Sequence, residues 1–390
     1  MNFKIPFSGR GHAYIESEID AAVEAMHAPL SLTQSKYKDE FENSFSDYAG
    51  SKYSFAVNTA TSALELSAQI CQFKNDDEVI IPSHTYTSSA YPFLKAGAKI
   101  IWADIDLQTR VVTKETIEAC LTKNTRAIVV PHLYGFGAQI DEIVELVEGM
   151  NIVVVEDAAQ SLGVRLDTRM TGTFADFGVF SFHSHKNMTT LGEGGMITTN
   201  DSKYKELIPM LRHNGHCGFN FERENYWQPA MGNVDLPILD NEPIMPSNYC
   251  LGEVECAIGI ELLKRIDQLN DQKRKRAIYF IDAMQDFDQL EFHRVDNDRH
   301  NYHLLVAMDK SGKRDSFIRK MAFDERIQCV VQYYPLNRYD LYQKLGYGEA
   351  NCPNADRFFD NMISFPFQHM LTDSELDQII DSTKRVLKSL

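Results

Sequence analysis

The stretch Ile152-Val153-Val154-Val155-Glu156-Asp157-Ala158-Ala159-Gln160 decides how this chain is read. Four β-branched apolar residues run straight into two acids. Such a run fits a strand covered on both faces, and carboxylates at its end need a cation or hydrogen-bond donors, because a bare buried charge is costly. Similar short runs lie on either side: Phe55–Val57, Glu78–Ile81, Lys99–Ala103, Ala127–Pro131 and Gly178–Phe182. Helix-like segments separate them, Thr61–Cys71 being the clearest. The pattern predicts an α/β fold with a mostly parallel central sheet, whose ligands bind beyond the carboxyl ends of the strands.

Downstream the periodicity weakens. Phe219–Pro246 carries four prolines and reads as a long loop. Asn248–Gln272 then reads as a helix leading into a smaller C-terminal α+β domain, which divides the chain into 1–258 and 259–390. In that domain Tyr302–Met308 and Cys329–Tyr334 are expected strands. Ser374–Leu387 is an expected closing helix with Ser374 as N-cap.

The 390 residues are 44% hydrophobic, enough for a sizeable core, and carry a net charge of −16 that disfavours nucleic acid. No stretch approaches the roughly 18 apolar residues of a membrane span, and the N-terminus lacks a secretory pattern. Seven dispersed cysteines without a C-x-x-C pair argue against a disulfide framework or a metal site, and a cytoplasmic setting is expected.

Three elements converge on the expected sheet edge. Asp157 follows the apolar run, and a protonated pyridine nitrogen is a cation that would stabilise it, with Gln160 placed to bond a phenolic oxygen on the same ring. Lys186 follows Phe180-Ser181-Phe182-His183-Ser184-His185 and precedes Gly192, Gly194 and Gly195, a setting for a lysine whose amine is kept neutral by burial and cationic neighbours. Asn58-Thr59-Ala60-Thr61-Ser62 opens a helix whose N-terminus suits a phosphate. Singly, each has a plain alternative: Asp157 as a helix cap, Lys186 as a surface lysine, Thr61 and Ser62 as an N-cap. Together they describe a pyridoxal-phosphate (PLP) site.

E-D-A-A-Q, then F-S-F-H-x-x-K-N, then G-E-G-G resembles the sugar aminotransferases of the DegT/StrS type, within the type I PLP-dependent (aspartate-aminotransferase) fold. Leu32-Thr33-Gln34, Asp77–Pro82 with Thr85-Tyr86, Pro131–Gly135 and Asn248-Tyr249 extend the likeness nearly end to end. The resemblance implies PLP held covalently on Lys186, with pyridoxamine phosphate during turnover. It implies Asp157 on the pyridine nitrogen, Gln160 on the phenolic oxygen and Tyr86 stacked on the ring. Thr61, Ser62 and Ser181 would hold the phosphate, joined by Asn248 from the second subunit of a homodimer. The implied reaction takes an amino group from L-glutamate to a nucleotide-linked 3- or 4-keto-(6-deoxy)hexose, in amino-sugar and surface-polysaccharide synthesis.

The chain departs from the family pattern at Ala60 (commonly Gly), Cys250 (commonly basic) and Gln332 and Asn337 (commonly His), and in a longer loop holding Tyr226-Trp227. A free keto-sugar, sugar phosphate or cyclitol is the alternative acceptor. A sugar dehydratase, in which histidine replaces the lysine, is a rival reaction raised by His185, and a non-enzymatic regulatory module is a further alternative. His183 and His185 read more readily as packing or hydrogen-bonding residues than as catalysts.

Overall fold

The computed structural model describes residues 2–7, 9, 11–219 and 232–390. After helices α1 (Glu16–His27) and α2 (Lys36–Ala49) come β1 (Tyr53–Val57) and α3 (Ala60–Ile70). The central sheet continues with β2 (Glu78–Pro82), β3 (Lys99–Ala103), β4 (Thr125–Pro131), β5 (Val153–Asp157), β6 (Phe177–Ser181) and β7 (Gly195–Thr199). Its seven strands lie in the order β1-β7-β6-β5-β4-β2-β3. All neighbours pair in parallel except at β7, which runs against both β1 and β6.

Period-two alternation explains why this sheet is buried on both faces. Ala56, Met196 and Phe180 stand abreast in register and join the core that α2 fills with Phe41 and Phe45. Their neighbours Val57, Ile197 and Val179 point the other way, into the larger core with Leu64, Leu66 and Ile70 of α3. With apolar partners on both sides the strands need no polar alternation, so they read in sequence as continuous apolar runs.

Helices α4 (Glu253–Leu263) and α5 (Ile266–Ala283) lead to a three-stranded antiparallel sheet of β8 (Leu290–Phe292), β9 (Leu305–Asp309) and β10 (Met362–Phe365), closed by α6 (Asp373–Lys388). Leu305, Ala307, Ile363 and Phe365 pack under α5 and α6, whereas Val306, Met308 and Met362 join the large core. The boundary expected after residue 258 lies inside α4.

Several expectations change. The helix expected at Asn248–Gln272 begins only at Glu253 and breaks at Arg265. Residues 248–251 are extended because Tyr249 donates to the Arg212 carbonyl and accepts from the Asn58 amide, both at 2.8 Å. Of Cys329–Tyr334 only Val330 pairs with a strand residue, Ser364. The N-cap of α6 is Thr372, in a reciprocal pair with Glu375, and not Ser374. β7 is not among the expected strands, because Gly192 and Gly194 precede it and Gly195 opens it. Within the expected loop Phe219–Pro246, Asn233–Val234 pairs with His216–Cys217 and Ile238–Leu239 with Glu242–Pro243. Residues 220–231, with Tyr226 and Trp227, lie outside the described residues. Among those described, no helix is long and apolar enough to cross a membrane, and the seven cysteines are free thiols.

Candidate active site

The two acids that end β5 have separate tasks because they point to opposite faces. Glu156 is fully buried and spent on structure: it accepts from the amides of Gly172 (2.5 Å), Phe174 (2.6 Å) and Ala175 (2.8 Å) and from His132 Nε2 (3.1 Å). Asp157 accepts from Ser89 Oγ at 2.6 Å and the Ala159 amide at 3.2 Å, and lines a cavity of about 380 Å³. No helix follows Asp157, so it is not a helix cap.

The same cavity is lined by Thr59, Ala60 and Thr61, by Tyr86, Gln160 and Ser181, and by Lys186. Thr59 is the N-cap of α3, its hydroxyl accepting from the Ser62 amide at 3.0 Å. Gly195 pairs with both Val57 and Ser181, which brings the end of β6 beside the turn that opens α3. A Cβ at Gly195 would lie 2.6 Å from the Ala60 nitrogen, so only glycine permits this approach. The result is a helix N-terminus with free amides, flanked by the hydroxyls of Thr61 and Ser181.

Lys186 is half-buried and lines the same cavity. Burial pushes its ammonium down to about 8, and Asp157 opposes that fall. The cationic neighbours expected to lower it are not the cause. Its turn is clamped from α5: Asn187 donates to Asn270 Oδ1 at 2.9 Å and accepts from Lys273 Nζ at 3.0 Å, while Lys273 also donates to the His303 carbonyl at 2.8 Å. Lys273 is itself pushed down to about 7 by burial. His183 lies 3.8 Å from Glu193, and the exposed His185 donates its amide to His183 Nδ1 at 3.3 Å.

Two expected site residues stand elsewhere. Ser62 is buried under the turn, its hydroxyl donating to Asn58 Oδ1 at 2.6 Å, and does not line the cavity. Asn248 bridges to His213, also away from the cavity of its own chain. Conversely, Ser89 on Asp157, Lys273 and His303 beside Lys186, and Tyr333 had not been singled out as site residues. Tyr333 reaches the cavity from the irregular segment after Val330 and accepts from Gln160 Nε2 at 2.9 Å, while Gln160 Oε1 accepts from the Tyr134 amide at 2.7 Å. Of the departures, Gln332 and Ala60 line the cavity, and Asn337 and Cys250 do not.

Residues 13–384 match the DegT/DnrJ/EryC1/StrS aminotransferase family. This chain belongs to that family. Among the relatives of this aminotransferase, the Bacillus subtilis spore coat polysaccharide biosynthesis protein SpsC is 28% identical over 394 residues, covering 100% of this chain and 97% of its own. The Campylobacter jejuni UDP-4-amino-4,6-dideoxy-N-acetyl-beta-L-altrosamine transaminase (strain 81-176) is 29% identical over 385 residues, with 96% of each chain covered. Among solved structures, Spr1654 of Streptococcus pneumoniae in its PLP form superposes with a TM-score of 0.84 at 27% identity, covering 100% of this chain and 99% of that one. The mostly parallel α/β sheet is the one the strand runs predicted, and the aminotransferase fold is the one the family resemblance implied.

The cavity of this aminotransferase fits the family's cofactor. An anion cup, an amine and a carboxylate surround one space, as a phosphate, an aldehyde and a pyridinium nitrogen require.

Proposed function

We propose that the chain moves an amino group from L-glutamate to a nucleotide-linked keto-sugar, with PLP attached through Lys186. The observation that carries this reading is the convergence of Asp157, Gln160, Lys186 and the N-terminus of α3 on one cavity. Bound PLP would supply the carbonyl to which Lys186 attaches, an electron sink for the substrate carbon and, as pyridoxamine phosphate between half-reactions, a store for the amine.

The chain's own groups do the rest. Thr61, Ser181 and the first amides of α3 would hold the phosphate, and the Ser62 hydroxyl supports that turn through Asn58. Asp157, aimed by Ser89, would keep the ring nitrogen protonated, and Gln160 would donate to the ring oxygen. Tyr86, 53% exposed on the cavity rim, would cover the ring face. Lys186 Nζ would take the proton from the substrate carbon and return it; burial leaves a useful fraction of it as free amine near neutral pH.

A homodimer is part of this reading. Asn248 would serve the second subunit's site, in line with its place away from its own cavity. The N-cap Ile15 and Ile19, Val23 and Met26 of α1 form an apolar stripe, with Leu30 three residues beyond the helix, each at least 46% exposed, of the kind that a second copy covers.

The relatives support a nucleotide-linked acceptor, since two of those matched are a GDP-perosamine synthase of Escherichia coli O157:H7 and the altrosamine transaminase above. The test is spectroscopic and preparative. PLP-reconstituted protein is expected to show a near-visible band that L-glutamate shifts, and to aminate one member of a panel of UDP-, GDP- and dTDP-linked keto-deoxyhexoses. Failure of glutamate to change the band would overturn the donor assignment, and inertness toward every sugar nucleotide would overturn the acceptor class.

A further inference from the structure

Gln160 is assigned above to the cofactor's ring oxygen, yet it is already hydrogen-bonded to a hydroxyl. Its Nε2 donates to Tyr333 Oη at 2.9 Å. A hydroxyl oxygen that accepts from a carboxamide has its own proton left to give. Tyr333 lines the same cavity as Asp157 and Lys186.

The ring is held so that this proton keeps its aim. Tyr134 stacks on Tyr333 with centroids 6.5 Å apart and planes 13° from parallel, and Tyr86 meets it edge-on at 5.8 Å. Its backbone is tied down as well: Tyr134 Oη donates to the Gln332 carbonyl at 2.7 Å and sits 2.6 Å from His84 Nε2. Burial raises the Tyr333 phenol well above its ordinary value, which keeps it a donor at any working pH. Two groups 2.9 Å apart on one cavity wall can both reach a single acceptor.

We propose that Tyr333 is a second donor to the ring oxygen of the bound cofactor, beside Gln160, and so sets the pH at which the Lys186-linked cofactor loses its proton. The inference rests on the PLP reading above. The physical reason is charge. The ring oxygen is anionic, and when the Lys186 nitrogen is protonated that proton neutralises it in part. Once the proton leaves, only protein donors stabilise the oxygen, so each donor favours the unprotonated form and lowers the titration midpoint.

The experiment titrates the near-visible band of the holoenzyme with pH. Tyr333→Phe, which removes one oxygen, is expected to keep the band and move its midpoint up by about one pH unit. Site-specific 3-fluorotyrosine at position 333, a stronger donor of nearly the same size, is expected to move it down and serves as the test if Y333F does not fold. A packing role alone would move neither midpoint. Unchanged midpoints with the cofactor bound overturn the proposal and leave the PLP reading intact; a wild-type protein with no band at all overturns the PLP reading itself.

Discussion

The two walls of the cavity are built in different ways. One wall consists of strand ends and the turns that follow them: Asp157 closes β5, Ser181 closes β6, Thr61 opens α3 and Lys186 follows β6. The other wall is irregular chain, where residues 331–334 leave the edge of β10 and deliver Gln332 and Tyr333. Asp157 and Ser181 are placed by a buried ladder with cores on both faces, so a small error there would disturb the whole sheet, and the Lys186 turn is clamped from α5 by Asn270 and Lys273. The second wall is held by single side-chain contacts, such as Tyr134 on the Gln332 carbonyl. Chemistry common to all substrates draws mainly on the first wall, with Tyr333 as the second wall's proposed share in it, and discrimination between substrates falls to the adaptable chain around Gln332.

This contrast can be broken. The largest expected effect is at Lys186: Lys186→Ala is expected to remove the near-visible band and cut turnover by about 10⁴-fold or more, read by steady-state kinetics. Retained turnover would place the proton-transfer base elsewhere. Asp157→Asn keeps the size of the side chain and removes its charge, and turnover is expected to fall by about 10²–10³-fold while circular dichroism stays unchanged.

On the other wall the expected effect is smaller and of another kind. Gln332 Oε1 is buried on the cavity with no hydrogen-bond partner among the described residues, an acceptor suited to a sugar hydroxyl. Gln332→Ala is expected to raise KM for the sugar acceptor by about 5–10-fold, roughly 1 kcal/mol, and to leave both the band and KM for glutamate as they were. A change in the band instead would mean that Gln332, like Tyr333, acts on the cofactor.

The smallest effect is on stability and belongs to the first wall. Lys186 and Lys273 sit at about 8 and about 7 in the folded cofactor-free protein, against an ordinary 10.5 when unfolded. Between those values the unfolded chain binds more protons, so stability rises with pH from about 7 to 10.5; below about 7 the full cost of burying both charges is present. Lys273→Met is expected to flatten the lower part of this rise in thermal unfolding of the cofactor-free protein. An unchanged slope would mean that Lys273 is solvated.

The near-neighbour chemistry of the first wall was legible because strand runs announce themselves. Val153–Val155 is apolar on both faces, so Asp157 had to stand at a strand end, and Lys186 likewise follows Phe180–Phe182. What local pattern could not supply was the task of the neighbouring acid, Glu156. Glu156 and Asp157 are one residue apart, and their roles divide only because the loop at Gly172–Ala175 presents three amides to one face.

The sequence by itself determined most strands of the central sheet and the polar residues that follow them, since burial on both faces is written residue by residue; it missed β7 and placed a strand at Cys329–Tyr334 that does not form. Only the tertiary structure decided the partners that come from far along the chain. Ser89 meets Asp157 from 68 positions away, Lys273 meets Asn187 from 86 and Tyr333 meets Gln160 from 173. It also decided that residues 248–251 stay extended, because backbone groups of Asn58 and Arg212 claim the hydrogen bonds a helix would have used. Such contacts depend on how distant segments pack together, and no local periodicity records them.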